Sequence, residues 1–183
     1  MIQGYYKNSL AEYKRFCVFH LFVARWAQSF AYPILFLGIG IVFCVFGGLS
    51  GNSILFFGAG VLFAVAVIMP FAMQALQKAK AEKRVRVNVN FLKTQQFFGF
   101  DESSMTLKLK VADREEEYEI PYGQIAKIYE RKDLFYLYIG KSQALIVPKN
   151  NLEGGSADDL ARIFRKTGKR FKEKKSLRKK TAV

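Results

Sequence analysis

Two long apolar runs dominate the first half of the chain. Residues 30–46, FAYPILFLGIGIVFCVF, form the first run, and residues 53–73, SILFFGAGVLFAVAVIMPFAM, form the second. Neither run has an amphipathic stripe, and roughly 20 apolar residues in a helix span the ~30 Å hydrocarbon layer of a bilayer. The pattern predicts a transmembrane hairpin over residues 30–77. The alternative, a pair of buried helices in a soluble core, is disfavoured because 183 residues are too few to wrap both.

The hexapeptide GGLSGN, residues 47–52, separates the two runs and is the predicted outer turn. No Lys, Arg, Asp or Glu occurs between Arg25 and Lys78, a gap of 52 residues. The basic residues that flank this gap are Lys7, Lys14, Arg15 and Arg25 before it and Lys78, Lys80, Lys83, Arg84 and Arg86 after it. Short basic flanks remain in the cytoplasm, so we expect both termini inside the cell. The absence of ionisable groups within the spans argues against an ion pathway or proton relay.

Small residues recur at four-residue spacing within both apolar runs. They are Gly40 and Cys44 in the first run, Gly48 just after it, and Gly60 and Ala64 in the second run. Such spacing allows two helix backbones to approach closely. We expect these residues to pack the two helices against each other, and a dimer interface is the alternative.

Residues 1–29 are predicted to contain an amphipathic helix that lies at the membrane interface. Ser9 followed by Glu12 matches a capping box at the helix start. His20 is the only histidine and has apolar neighbours, so we interpret it as an interface residue without catalytic chemistry.

After Lys78 the hydrophobic period changes from helical to alternating. Half-buried strands are predicted at 105–111 and 115–120, and central strands at 135–139 and 144–147. Further strands are predicted at 94–100 and 124–130, and residues 85–90 are expected to lead in from the membrane. Ser156 and Asp159 then begin a helix whose apolar face extends to Phe171. The predicted fold is a membrane α + β protein, in which a two-helix hairpin precedes a small antiparallel β sandwich or barrel capped by a C-terminal amphipathic helix.

The segment PYGQIAKIYERKDLFYLYIGKSQALIVPKNNL, together with the preceding hairpin, resembles the YcxB-like family of bacterial membrane proteins. The features that carry the resemblance are a strand ending in I..I.E, a strand apolar on both faces, and a strand ending in IVPK. The resemblance implies a fold similar to pleckstrin-homology (PH) domains over residues 84–170. It implies no catalytic activity and places the chain in a bacterial plasma membrane.

The composition is 51% hydrophobic with a net charge of +14. The two values are compatible because the apolar and the basic residues are concentrated in different parts of the chain. Residues 161–183 carry eleven basic residues and one acid. Clusters of Lys and Arg attract anionic lipids, and we expect such contact from this end of the chain, including the tail 171–183. A solvated end, or binding of RNA or an acidic protein, are the alternatives. The candidate lipid contacts are Arg165, Lys166, Lys169, Arg170, Lys172, Lys174, Lys175, Arg178, Lys179 and Lys180.

Motifs that would indicate catalysis or a cofactor are missing from the sequence. It contains no CxxC, HExxH or GxSxG, and its two cysteines do not suggest a disulfide framework. The acidic run at Glu115, Glu116, Glu117 and Glu119 is interpreted as a solvated strand edge that faces lysines on the neighbouring strand. We expect a membrane-anchored binding or scaffold module without cofactor or metal. The alternative is a subunit of a transport or envelope complex, with a protein partner or a second copy docked on the helices.

Overall fold

The computed structural model describes residues 1–88, 90–112, 114–140, 143–167 and 170–172, and the chain divides into two units. Met1–Asn8 and Val89–Val183 form one unit, called here the β unit. Ser9–Asn88 form the other, called here the helical unit.

Three helices make up the helical unit. They are α1 (Leu10–Phe19), α2 (Trp26–Ser50) and α3 (Ser53–Val87). The Ser9 hydroxyl accepts a hydrogen bond from the Glu12 backbone N–H at 3.2 Å, so the predicted start of α1 is confirmed. Both long helices exceed their predicted ranges, and α3 includes residues 85–87, so the prediction of a strand there was wrong.

A π-helical turn at His20–Ala24 joins α1 to α2 and bends the chain at Arg25. Wider turns leave backbone carbonyls without their usual partners. The buried Ser29 hydroxyl donates to the Leu21 carbonyl at 2.6 Å and to the Arg25 carbonyl at 3.2 Å. This side chain therefore satisfies the backbone where the helix is interrupted.

Helices α2 and α3 form an antiparallel pair with a tight seam. The buried residues of the seam recur every seven positions, at Pro33, Gly40 and Gly47 on α2 and at Ala59 and Ala66 on α3. A seven-residue repeat keeps one face turned to a partner helix. A Cβ at Gly40 would lie 2.6 Å from the Phe63 ring, so any larger residue there requires this ring to move.

The expected four-residue pattern of helix packing needs correction. Gly40 lies on the seam and Cys44 is half-buried, but Gly48, Gly60 and Ala64 are exposed. Apart from the neighbouring backbone of α3, no described atom lies within 4 Å of the position that a Cβ would take at Gly60. Four residues turn a helix about 40° past a full turn, whereas seven fall only about 20° short of two turns, so a four-residue pattern leaves the seam.

Helix α1 packs against the polar end of α3. Phe16 and Phe19 of α1 and Ala81 and Val85 of α3 are buried. Lys14 forms an ion pair with Glu82 across the two helices. Helix α1 therefore packs against another helix of the protein, whereas it was expected to lie separately at the membrane interface.

The described residues of the β unit form nine strands in two sheets. They are β1 (Ile2–Lys7), β2 (Gln95–Phe100), β3 (Ser104–Val111), β4 (Arg114–Pro121), β5 (Lys127–Glu130), β6 (Leu134–Tyr138), β7 (Ala144–Pro148), β8 (Leu152–Glu153) and β9 (Arg170–Lys172). One sheet has the order β4-β3-β2-β1-β8 and the other β7-β6-β5-β9. All pairs are antiparallel except β5 with β9, so the second sheet is mixed, and the prediction of a purely antiparallel arrangement was wrong in this respect.

Strand β1 was not predicted, because residues 1–29 were expected to be helical. It lies between β2 and β8, with Ile2 opposite Phe100 and Lys7 opposite Gln95. The helical unit is thus inserted between two neighbouring strands. Residues 1–8 belong with the β strands, which corrects the expected start of this domain at residue 84.

Two glycines make room for the start of β1. Gly154 has φ +75°, a conformation that side chains disfavour, and its missing Cβ would lie 2.9 Å from the Met1 carbonyl oxygen. A Cβ at Gly155 would lie 2.7 Å from the Ile2 side chain. The loop after β8 is therefore shaped to the N-terminal residues.

Helix α4 (Ala157–Lys166) closes the β unit, and the predicted cap is confirmed. Ser156 and Asp159 form a reciprocal capping box, and these hydrogen bonds lower the pKa of the Asp159 carboxyl. The stability that the ionised Asp159 carboxylate contributes is present at neutral pH and is lost as the pH falls through that lowered pKa. Phe171, predicted on this helix, lies instead in β9.

Phe164 of α4 occupies the centre of the core. It is fully buried, and its ring meets Phe100, Tyr122 and Phe135 edge-to-face at 5.9, 6.1 and 5.5 Å between centroids. Such aromatic contacts join the two sheets through the helix.

We predict that Phe164→Ala lowers the free energy of unfolding by about 3–5 kcal/mol, because it leaves a cavity among three rings. Thermal unfolding of the full chain in one fixed detergent, followed by near-UV circular dichroism, measures the change. Arg162→Ala on the same helix is the control, since Arg162 is exposed and loses only a 3.3 Å ion pair with Asp159. Equal midpoints for the two variants would contradict the central role of Phe164.

Candidate functional site

The outer face of the five-stranded sheet carries aromatic and basic side chains in register. Tyr5, Phe97, Lys108 and Glu117 lie side by side across β1 to β4. The Tyr5 and Phe97 ring centroids are 5.1 Å apart, and Lys108 Nζ is 3.1 Å from the Glu117 carboxylate. Phe97 remains 39% exposed, so this face presents an aromatic surface beside the lysines.

A groove of about 410 Å³ runs across this face. Its walls include Met1, Gln3, Phe97, Thr106, Lys108 and Lys110. Pockets for small organic ligands are typically about 300–1,000 Å³ and combine apolar walls with a few polar groups. The groove is therefore the candidate binding surface of the β unit.

Strand β4 forms the acidic edge of the same sheet. The register places Glu117 opposite Lys108 and Glu115 opposite Lys110, as predicted for this acidic run. The Tyr118 hydroxyl donates to the Glu116 carboxylate at 2.5 Å, and this contact raises the pKa of Tyr118. Charged side chains along an edge strand discourage pairing with another chain.

Metal ligation finds no support in the described part of the chain. No group of three or more His, Cys, Asp or Glu residues is placed to hold an ion there. Cys17 and Cys44 are both free. The His20 ring packs against Phe16, with centroids 5.9 Å apart.

A buried ion pair joins β5 to the end of β7. Glu130 is 5% exposed, and its Oε1 accepts a hydrogen bond from Lys149 Nζ at 2.5 Å. Lys149 also lies over the Phe135 ring, 4.6 Å from its centroid. The second carboxylate oxygen, Glu130 Oε2, is buried and has no hydrogen-bond partner among the described residues. Lys149 therefore supplies a positive charge to a desolvated carboxylate.

The YcxB-like protein family model matches residues 100–164. The match begins at the last residue of β2 and ends at the core residue Phe164 of α4. It confirms the resemblance to this family over about a third of the chain. No curated protein and no solved structure gave a match.

Within the YcxB-like segment, the ion pair explains two of the sequence motifs. Glu130 ends the I..I.E strand and Lys149 follows the IVP end of the other strand. The two motifs were visible in the sequence, but their contact was not, because β6 and a hairpin separate them. Their role in the structure is to join two strand ends.

The basic residues expected at a lipid surface are only partly described. Arg165 and Lys166 lie in the last turn of α4, and Arg165 stands over the Phe171 ring at 5.5 Å. Lys172 stands 5.7 Å from the Tyr129 ring centroid, and Arg170 is the first residue of β9. The remaining candidates lie outside the described residues: Lys169, Lys174, Lys175, Arg178, Lys179 and Lys180.

We predict that Lys149→Met lowers the free energy of unfolding by about 3–5 kcal/mol, because it leaves the Glu130 carboxylate buried and unpaired. The double variant Glu130→Leu/Lys149→Met should recover most of this loss, since neither charge is then buried. Urea midpoints of the full chain measure both changes. A double variant as unstable as Lys149→Met would show that packing, and not the unpaired charge, causes the loss.

Proposed function

We propose that this chain is a membrane-anchored binding module. In this proposal, α2 and α3 cross the bilayer, the β unit lies at the cytoplasmic face, and its sheet face binds a partner. The proposal includes no catalytic role.

One observation carries the membrane part of the proposal: the hairpin exposes an uncharged apolar surface. Both long helices are long and apolar enough to span a bilayer, and only 17% and 11% of their most apolar windows are buried. Core helices of soluble proteins are mostly buried, and soluble proteins rarely expose large contiguous apolar surface. The exposed apolar residues include Ile34, Leu37, Ile41, Val45, Phe46, Leu49, Phe57, Val61, Val67, Ile68 and Phe71.

The insertion point of the helical unit supports a hairpin with both ends on one side. The Asn8 backbone N–H donates to the Thr94 carbonyl at 3.3 Å, and the Asn8 side chain donates to the Phe91 carbonyl at 3.0 Å. The chain thus leaves and re-enters the β unit at one place. A segment inserted in this way crosses a bilayer an even number of times, and its basic flanks favour the cytoplasmic side.

The architecture of the β unit supports a PH-like binding domain. Two sheets pack around a core that a C-terminal helix closes, and the outer sheet face carries the groove with Phe97, Lys108 and Lys110. The basic residues of α4 and β9 are suited to contact with anionic lipid. We assign the recognition of a partner to the groove and an orienting role to the basic residues.

We predict that Ser50→Cys, in a chain with Cys17→Ser and Cys44→Ala, reacts with a membrane-impermeant thiol reagent on intact cells. Ser50 is exposed and ends α2 at the turn, which the proposal places outside. Labelling is measured by the mass shift of the purified protein.

The matched control is Glu115→Cys, on the exposed edge of the β unit. It should react only after the cells are permeabilised. The reverse pattern would overturn the orientation, and equal labelling of both variants on intact cells would overturn the transmembrane hairpin.

Exposed small residues on α3 favour a second candidate function, docking of the hairpin in a larger membrane complex. Gly60 and Ala64 face away from α2, and small residues at this spacing permit close helix contact within a bilayer. The hairpin would then be an accessory or regulatory subunit of that complex.

Gly60→Leu should abolish recovery of a second membrane protein, or of a second tagged copy, without disturbing the hairpin. Gly40→Leu is the informative comparison, because it collides with Phe63 inside the hairpin and should lower stability as well. Affinity purification from native membranes with mass spectrometry measures recovery. Unchanged recovery for Gly60→Leu would exclude docking through this face.

A further inference from the structure

The polar end of α3 carries a basic cleft that belongs to neither the groove nor the C-terminal residues. The cleft has a volume of about 460 Å³ and is lined by Lys80, Lys83, Arg84 and Val87. These positions lie on one face of the helix, because residues three, four and seven apart are neighbours. All four side chains are exposed.

The cations of this cleft have no acidic partner in the helical unit, all of which the structure describes. That unit contains only two acids. Glu82 pairs with Lys14 of α1, and Glu12 belongs to the cap of α1, where the Ser9 hydroxyl contacts it. Like charges three and four residues apart destabilise a helix, so Lys80, Lys83 and Arg84 repel one another unless an anion binds.

One cation of the cleft is held in place. The Arg84 guanidinium donates a hydrogen bond to the Tyr13 hydroxyl of α1. A guanidinium has five N–H donors, so donors remain free after this contact. An oriented guanidinium beside two flexible ammonium groups is suited to the oxygens of a phosphate.

The position of the cleft along the axis of α3, relative to the exposed apolar residues, identifies the source of that phosphate. Leu76 is the last large apolar residue exposed before the basic segment. At 1.5 Å per residue, Lys80 and Lys83 lie about 6 and 10 Å beyond it. The headgroup layer on each side of a bilayer is about 5–8 Å thick, and lysine side chains extend along it.

We propose that this cleft binds the phosphate group of an anionic phospholipid in the leaflet where both ends of the hairpin emerge. The inference rests on the proposed transmembrane hairpin. It assigns lipid recognition to α3, independently of the basic C-terminal residues.

Trp26 provides an intrinsic probe for the test, since it is the only tryptophan in the chain and is 60% exposed. Trp26 and Gln77 are equally far in sequence from the turn at Gly51 and Asn52, so an antiparallel hairpin places Trp26 near the height of the cleft. The full chain is reconstituted in phosphatidylcholine vesicles that contain a small fraction of acyl-brominated phosphatidylglycerol or acyl-brominated phosphatidylcholine. Bromine quenches tryptophan fluorescence on contact, so the ratio of quenching measures the preference for the anionic lipid.

Brominated phosphatidylglycerol should quench Trp26 more than brominated phosphatidylcholine at the same mole fraction. The double variant Lys80→Gln/Lys83→Gln should reduce this preference by about fivefold for each lysine removed. The control Lys93→Gln/Lys132→Gln removes the same charge from exposed positions of the β unit and should retain the preference.

An equal preference in the native chain and in Lys80→Gln/Lys83→Gln would overturn the proposal. Loss of the preference on adding millimolar inorganic phosphate at constant ionic strength would assign the cleft to free phosphate and overturn the lipid assignment. Absence of quenching by either brominated lipid would overturn the transmembrane hairpin itself, which separates the failure of the proposed function from the failure of the lipid site.

Discussion

The pairing of β1 with β2 and β8 is the constraint on which the rest of the molecule depends. Six N-terminal residues form an interior strand of the five-stranded sheet, so the sheet is complete only when the first residues of the chain meet partners synthesised much later. Everything between Asn8 and Thr94 becomes an insertion closed by these hydrogen bonds. Because the entropy cost of closing a loop grows only slowly with length, a long insertion is tolerated when both of its ends are fixed.

The two units use apolar residues in opposite ways. In the β unit, Phe100, Phe135 and Phe164 are fully buried, as hydrophobic stabilisation in water requires. In the helical unit, small residues such as Gly40 and Ala66 fill the seam while the large apolar side chains face outward. Small residues at the contact and large ones outside are typical of helices paired in lipid, where close packing replaces the hydrophobic effect.

The elements that could be predicted from the sequence are those whose pattern extends over several turns or strands. The alternation in β3 and β4, the run of β6 and the capping box of α4 all correspond to observed elements. Strand β1 was missed because Gly4 occupies one of its inward positions, which hides the apolar alternation of Ile2 and Tyr6. Strand β9 was missed because Phe171 lies seven residues after Phe164 and fits a helical period equally well.

The candidate sites were harder to predict because they depend on residues distant in sequence. The groove joins Met1 and Gln3 to Lys108 and Lys110, and no local pattern in the sequence relates these residues. The ion pair of Glu130 and Lys149 forms through the register of β5, β6 and β7. A sequence read in short windows shows the residues of such sites without showing that they meet.

The length of α3 explains why its basic end has two different faces. Its 35 residues extend about 52 Å, which exceeds the ~30 Å of a hydrocarbon layer by several turns. Ala81 and Val85 pack under α1, and Glu82 pairs with Lys14. One face of the part of α3 that exceeds the hydrocarbon thickness is therefore in contact with α1. Lys80 and Lys83 remain on the open face. The basic end of α3 therefore has one face in contact with α1 and another face that is exposed.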